Sequence, residues 1–148
     1  MIFTLELGQV CISHTECRRI PHSPNTGMHY MKAHRWRKAW KEEVMTAMLG
    51  YPHLRRYFPL HRPQITVTFR AIKPFDEGDN LHFAIKPLID ALKVPRSTKS
   101  GEVIGAGVIE DDDPKHIPAP IVKQIKVKHR GEEGVTILIE QYKTIPSQ

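Results

Sequence analysis

The sequence predicts one α+β domain in which a small sheet packs on two main helices, and three observations lead there. The chain has 148 residues, enough for one core and too few for two. Two stretches carry apolar residues at helical spacing, while most of the remaining apolar content falls in short runs of strand-like alternation. At 40% hydrophobic and 26% charged, the composition is that of a folding chain rather than a disordered one.

Ile2 to Leu7 alternate weakly and predict a first strand, and Gly8 to Thr26, with Pro21, Ser23, Pro24 and Asn25, predicts a long loop. From Met31 to Leu49, Trp36, Trp40, Val44, Ala47 and Met48 recur at spacings of three and four, with Lys32, Arg35, Lys38, Lys41 and Glu42 between them. That is an amphipathic helix ending near Gly50, and its two tryptophans belong to the core. Pro52, Pro59 and Pro63 break the next segment. Ile65 to Ile72 then alternates as a β-branched strand and halts at Pro74.

Asp79 and Asn80 are good helix caps, and Leu81, Phe83, Ala84, Ile85, Leu88, Ile89, Ala91 and Leu92 predict a central helix, bent near Pro87. Val94 to Glu102 reads as a turn-rich connector and Val103 to Ile109 as a short apolar strand. Ile121 to His129 and Val135 to Gln141 flank HRGEEG and predict a hairpin with one basic strand, before a loose tail from Thr144 to Gln148.

The net charge of +6 is unevenly placed. Seven of the sixteen acids fall in two clusters, Asp76-Glu77-x-Asp79 and Glu110 to Asp113, within a chain otherwise studded with lysine and arginine. A basic body suits a polyanion, because each neutralised phosphate releases counterions. No apolar run approaches membrane length, the first residues lack the basic region of a secretory signal, and Cys11 and Cys17 are too few for a disulfide scaffold. A soluble cytoplasmic protein with a reducing surround is the expectation. Cys11, His14, Cys17 and His22 lack the paired spacing of a zinc knuckle. No phosphate-loop glycine pattern and no Ser or Cys nucleophile motif is present, so nucleotide triphosphates and covalent catalysis are not implied.

In an extended segment Glu77 and Asp79 point to one side, forming a carboxylate pair of the kind that holds Mg²⁺. On the central helix, Lys86 and Asp90 follow Asp79 by seven and eleven positions and share its stripe within about 20°. Lys86 begins about 10 Å up the axis and can lean back, whereas Asp90 begins about 16 Å away and is excluded from the metal shell. Its expected role is to hold Lys86 as an i, i+4 partner. The acids at Asp111 and Asp112 are expected to return on a strand beside the Ile65 strand and complete the set. Carboxylates, an activated water and a lysine are what metal-assisted phosphodiester hydrolysis requires.

The stretch D-N-L-x3-I-K-P-L-I-D-A-L, Asp79 to Leu92, followed by V-I-E-D-D-D-P-K-H-I, Val108 to Ile117, resembles the RusA family of Holliday junction endonucleases. Ser23-Pro24-Asn25 with the basic helix behind it is similar to that family's N-terminal segment. The resemblance implies a RusA-like fold and a homodimer in the cytoplasm of a bacterial cell or phage-infected host. It further implies a nuclease that binds four-way DNA junctions and nicks two strands symmetrically, using Mg²⁺, with Mn²⁺ as a substitute. The carried-over metal carboxylates are Glu77, Asp79 and Asp112, with Lys86 as the catalytic lysine and Asp111, Asp90 and Asn80 in supporting places. Two departures stand out: the family's first aspartate is Glu77 here, and Lys86 is set three residues further along the helix. The alternatives are a non-catalytic module that binds branched DNA and a metal nuclease acting on flaps or single strands.

Overall fold

The computed structural model of the chain describes residues 1–22, 27–75 and 79–142, with only the backbone described at 79 and 80. Its element order is β1 (Ile2–Leu7), β2 (Val10–Cys11), β3 (Cys17–Arg18), α1 (Tyr30–Met48), β4 (Gln64–Ala71), α2 (Asp79–Leu92), β5 (Arg96–Thr98), β6 (Gly101–Val103), β7 (Ile121–Lys126) and β8 (Gly134–Glu140). Short 3₁₀ turns cover Pro52–Tyr57 and Arg130–Glu132. The molecule is a small mixed α+β domain, as the periodicities predict.

One four-stranded sheet has the order β1-β8-β4-β7. β8 runs antiparallel to both β1 and β4, and β7 runs parallel to β4. The predicted hairpin between the last two strands therefore does not form. β4 lies between them, and the segment holding the Arg130–Glu132 turn crosses two strand spacings, about 10 Å. Burial explains the insertion: Ile65, Val67 and Phe69 of β4 are fully buried and need a neighbour on each side, whereas Ile121 and Ile125 of β7 are half-exposed, as an edge strand tolerates.

Phe3, Leu5 and Leu7 of β1 and Val135, Ile137 and Ile139 of β8 join β4 in one core with Trp36, Trp40, Val44 and Met48 of α1. Ala84, Ile85, Leu88, Ile89, Ala91 and Leu92 of α2 enter the same core, which accounts for the apolar girth of that helix. On other positions of the sheet, Arg70 donates to Thr136 Oγ1 at 2.5 Å, and the Thr136 hydroxyl donates to Glu6 at 2.9 Å. A helix-packed face and a polar face follow from the alternation.

The predicted loop from Gly8 to Thr26 contains a small hairpin. Cys11 and Cys17 are register partners in β2 and β3, with Cα atoms 4.0 Å apart, and are joined as a disulfide. The pairing corrects the expectation of two thiols: a two-residue strand on each side of a tight turn carries too little alternation to be read. Val94 to Glu102 likewise forms most of the β5–β6 hairpin. The predicted strand from Val103 to Ile109 is reduced to Val103 in β6 and one parallel bridge from Ile109 to Lys93. No helix among the described residues is long and apolar enough to cross a membrane.

Candidate functional site

The second acidic cluster does not return beside β4. It is fastened to the C-terminal end of α2, and backbone hydrogen bonding dictates the place. The last carbonyls of a helix have no partner within it. Here Ala106 N–H donates to Ala91 O at 2.7 Å, Ile109 N–H to Leu92 O at 3.0 Å and Gly107 N–H to Lys93 O at 3.0 Å, while Val94 N–H donates back to Ile109 O at 2.9 Å. Gly105 makes the approach possible, since a Cβ there would collide with the Lys93 carbonyl. On the far side, Leu60 N–H donates to Val108 O at 2.8 Å and the Arg62 guanidinium to the carbonyls of Pro114 and Lys115. The connector is held at both edges, and the acids that follow it inherit that position.

The three consecutive aspartates then divide their work. Asp113 accepts from the backbone N–H groups of Lys115 and His116 and pairs with the His116 ring at 2.8 Å, so it caps a turn. Asp111 and Asp112 face α2. Asp112 Oδ2 lies 2.8 Å from Lys86 Nζ and its Oδ1 lies 2.9 Å from Lys93 Nζ. Asp90 Oδ1 lies 3.1 Å from each of the two ammoniums, and Asp111 lies 3.4 Å from Lys93. The expected Lys86–Asp90 pair is present, and the lysine also reaches Asp112, which joins the two halves of the sequence pattern.

Lys93 is the residue that the sequence reading missed. It follows Lys86 by seven positions and so continues the stripe, and its side chain is only 13% exposed. The signal was the same periodicity, cut off where the apolar run ends at Leu92. Three carboxylates against two ammoniums leave one net negative charge in the cluster. Partial burial opposes ionisation of Asp112, but hydrogen bonds from the Lys86 and Lys93 ammoniums outweigh it and hold the carboxyl well below the usual carboxylate range. Burial likewise opposes the charge on Lys86 and Lys93, and the bonds to Asp112 and Asp90 raise both instead.

Asp112 thus sits at the Lys86–Lys93 end of the stripe. Asp79 opens the helix, about 10 Å below Lys86 along the axis. Glu77 and Asp76 lie outside the described residues, as do Ser23 to Asn25, and the side chains of Asp79 and Asn80 are not described. Among the described residues no three His, Cys, Asp or Glu side chains are grouped to hold a metal ion. Asp111 and Asp112 carry carboxylate oxygens, the donor type that a hard cation takes, and here those oxygens face the Lys86 and Lys93 ammoniums.

A groove of about 430 Å³ opens beside this cluster. His34, Arg37, Lys38 and Lys41 line one wall, at the i, i+3, i+4 and i+7 spacing of a single face of α1, and Lys86 and Asp90 line the other. The basic residues of α1, read from sequence as part of a diffuse positive body, form a stripe facing the polar stripe of α2. Comparison of the chain with known protein families, curated proteins and solved structures finds no match.

Proposed function

We propose that the protein is a Mg²⁺-dependent, structure-selective endodeoxyribonuclease that acts as a homodimer on branched DNA, four-way junctions foremost, in recombination and repair. The observation that carries the reading is the meeting of Asp112 with the Lys86–Asp90 pair at the mouth of a basic groove. The acidic pair after the connector and the lysine on the helix are the two halves of the RusA-like pattern, and they are joined by an ion pair.

In this reading the α1 stripe of Arg37, Lys38 and Lys41 draws the phosphate backbone into the groove by neutralising it. Glu77, Asp79 and Asp112 would hold Mg²⁺, which supplies Lewis acidity and lowers the pKa of water when bound. Lys86 has its own task. Its ammonium, aimed by Asp90 and Asp112, stabilises the charge that gathers on the phosphate oxygens in the transition state. Lys93 keeps the Asp112 carboxylate oriented and the carboxylates from repelling one another. A dimer supplies two such sites for a two-fold substrate.

The test is a cleavage assay on four-way, flap and linear duplex DNA with Mg²⁺, with Mn²⁺ and with neither. Symmetric nicks in the junction that require the metal are expected. Junction binding on a gel without nicking under any metal would convert the protein into a non-catalytic binding module, and preferential cutting of flaps or single strands would reassign the substrate.

A further inference from the structure

At the C-terminal end of β4 opens a cleft of about 480 Å³ that shares no lining residue with the groove beside the charged cluster. Three segments meet there: β3 and the residue after it bring Arg18 and Arg19, the exit of β4 brings Lys73, and the turn before β8 brings Arg130 and Glu133. Among the described residues of its lining, four cations against one carboxylate leave a net charge of +3. None of the four cations has an ion-pair partner among the described residues, whereas Lys32, Arg70, Lys86 and Lys93 each have one. Glu133 forms no such pair either, and its Oε2 accepts from the Ile72 N–H at 3.1 Å, which ties two walls of the cleft together. Arg18 is partly buried and firmly placed. Its Nε donates to Ile20 O at 3.1 Å, and the disulfide to Cys11 fastens the preceding residue, Cys17. Burial lowers the Arg18 pKa, Glu133 raises it and Arg130 lowers it again, with burial prevailing. A guanidinium stays charged under such pressure, so Arg18 is a cation short of water beside a second cation, and an anion between them would relieve both conditions.

We propose that this cleft binds a phosphate group, held by Arg18, Arg19, Lys73 and Arg130. The donor set selects that chemistry. A carboxylate is satisfied by one guanidinium fork, whereas the oxygens of a tetrahedral phosphate diverge and take donors from several walls at once. No aromatic ring lines the cleft among the described residues, so it offers no platform for a base, and what it recognises is the charge that every nucleotide shares. The phosphate has two sources: free inorganic phosphate, or the backbone of a DNA strand crossing the cleft. The second source rests on the nuclease reading and deepens it. A site separate from the α1 groove gives each protomer two places to hold backbone, which suits a substrate whose strands leave the branch in several directions.

Lys73 and Arg130 are exposed and make no side-chain hydrogen bond among the described residues, so the double variant Lys73→Gln/Arg130→Gln should fold, with an unchanged urea midpoint as the check. Binding of the full chain to a fluorescein-labelled four-way junction is followed by anisotropy across a salt series. The double variant should bind about ten-fold more weakly or worse and flatten the slope of log K against log salt by about 0.9, the loss of one phosphate. Arg19→Gln, also at an exposed position, should weaken binding several-fold, and it decides alone if the double variant shifts the midpoint. Arg55→Gln/Arg56→Gln removes the same charge from exposed positions that line neither the cleft nor the groove, and should bind as wild type does. Calorimetry with inorganic phosphate is the second arm. Junction binding weakened in the cleft variants and kept in the control assigns the cleft to DNA. Phosphate binding by wild type that the cleft variants lose, at unchanged junction affinity, assigns it to the free anion. Neither change, or an equal loss in the control, overturns the proposal and leaves the cleft a solvated basic patch. Wild-type protein that holds junctions through this cleft yet never nicks them defeats the nuclease reading and leaves this one standing. Nicking by a wild type whose junction and phosphate binding the cleft variants leave unaltered does the reverse.

Discussion

Lys86 Nζ and Asp112 Oδ2 stand 2.8 Å apart although 26 positions separate the two residues in the chain. The pair forms because the connector caps the end of α2, and its charge pattern separates two roles. Asp112 faces both lysines with one oxygen each, while Asp90 presents a single oxygen to both. Asp112→Asn should therefore keep or tighten junction binding while lowering cleavage in Mg²⁺ by about 100-fold or more, the scale of losing a group that acts only in the transition state. Asp90→Asn should cost about ten-fold, because Lys86 retains Asp112. Equal losses in single-turnover assays would place Asp90 among the metal carboxylates, and undiminished cleavage by Asp112→Asn would remove that residue from the mechanism.

The connector's close approach rests on Gly105, where any side chain meets the Lys93 carbonyl, a backbone atom that cannot swing aside. Gly105→Ala should destabilise the fold by about 2 kcal/mol or more, as overpacking against a fixed neighbour does, and lower cleavage by loosening Asp112. Gly107 is the control. Its φ of 75° disfavours a side chain, but a Cβ there meets open space, so Gly107→Ala carries only the left-handed strain of about 1–2 kcal/mol. Urea unfolding ranks the two, and a Gly105→Ala protein as stable as wild type would mean that the cap is not what holds the acids.

What could be read from sequence, and what could not, follows the same division between local pattern and distant contact. The helical spacing of Trp36, Trp40 and Val44 announced a buried face, and the i, i+4 step from Lys86 to Asp90 announced an ion pair. Both need only one helix to be true. The neighbour of β8 is another matter, because β4 enters between β7 and β8 from sixty residues upstream, and a short loop between two apolar runs gives no notice of it. The cap on α2 was equally silent, since its bonds are made by backbone N–H groups that every residue owns. Gly105 was its single side-chain trace, and a lone glycine does not say what it approaches.

The α1 stripe makes a prediction about salt. Arg37 and Lys41 line the groove, and each phosphate contact they make releases counterion. Arg37→Gln and Lys41→Gln should each weaken junction binding several-fold, and each should flatten the slope of log K against log salt by about 0.9. Lys123 on the edge strand β7 lies outside the groove and should leave the slope unchanged when replaced by glutamine. Fluorescence anisotropy across a salt series measures all three, and a slope altered equally by Lys123→Gln would move the DNA path away from α1.

His22 gives the fold an acid-sensitive step. Burial lowers its pKa to about 4, the nearby Arg18 and Lys32 cations push the same way, and Glu16 offsets them only in part. Its ordinary value is 6.5, so between pH 6.5 and about 4 the unfolded chain binds a proton that the folded chain refuses. Stability therefore falls as pH drops through that window and this contribution levels off below it. The loss is on the order of 1–2 kcal/mol after allowance for solvent screening. Asp112 acts lower down. Its depressed carboxyl stabilises the fold above its ordinary value of 3.8, and that contribution is lost progressively as pH falls further. Urea midpoints at pH 7, 5.5 and 4.5 should decline for wild type and stay nearly level for His22→Gln. An equal decline in the variant would show that the acid-sensitive group lies elsewhere.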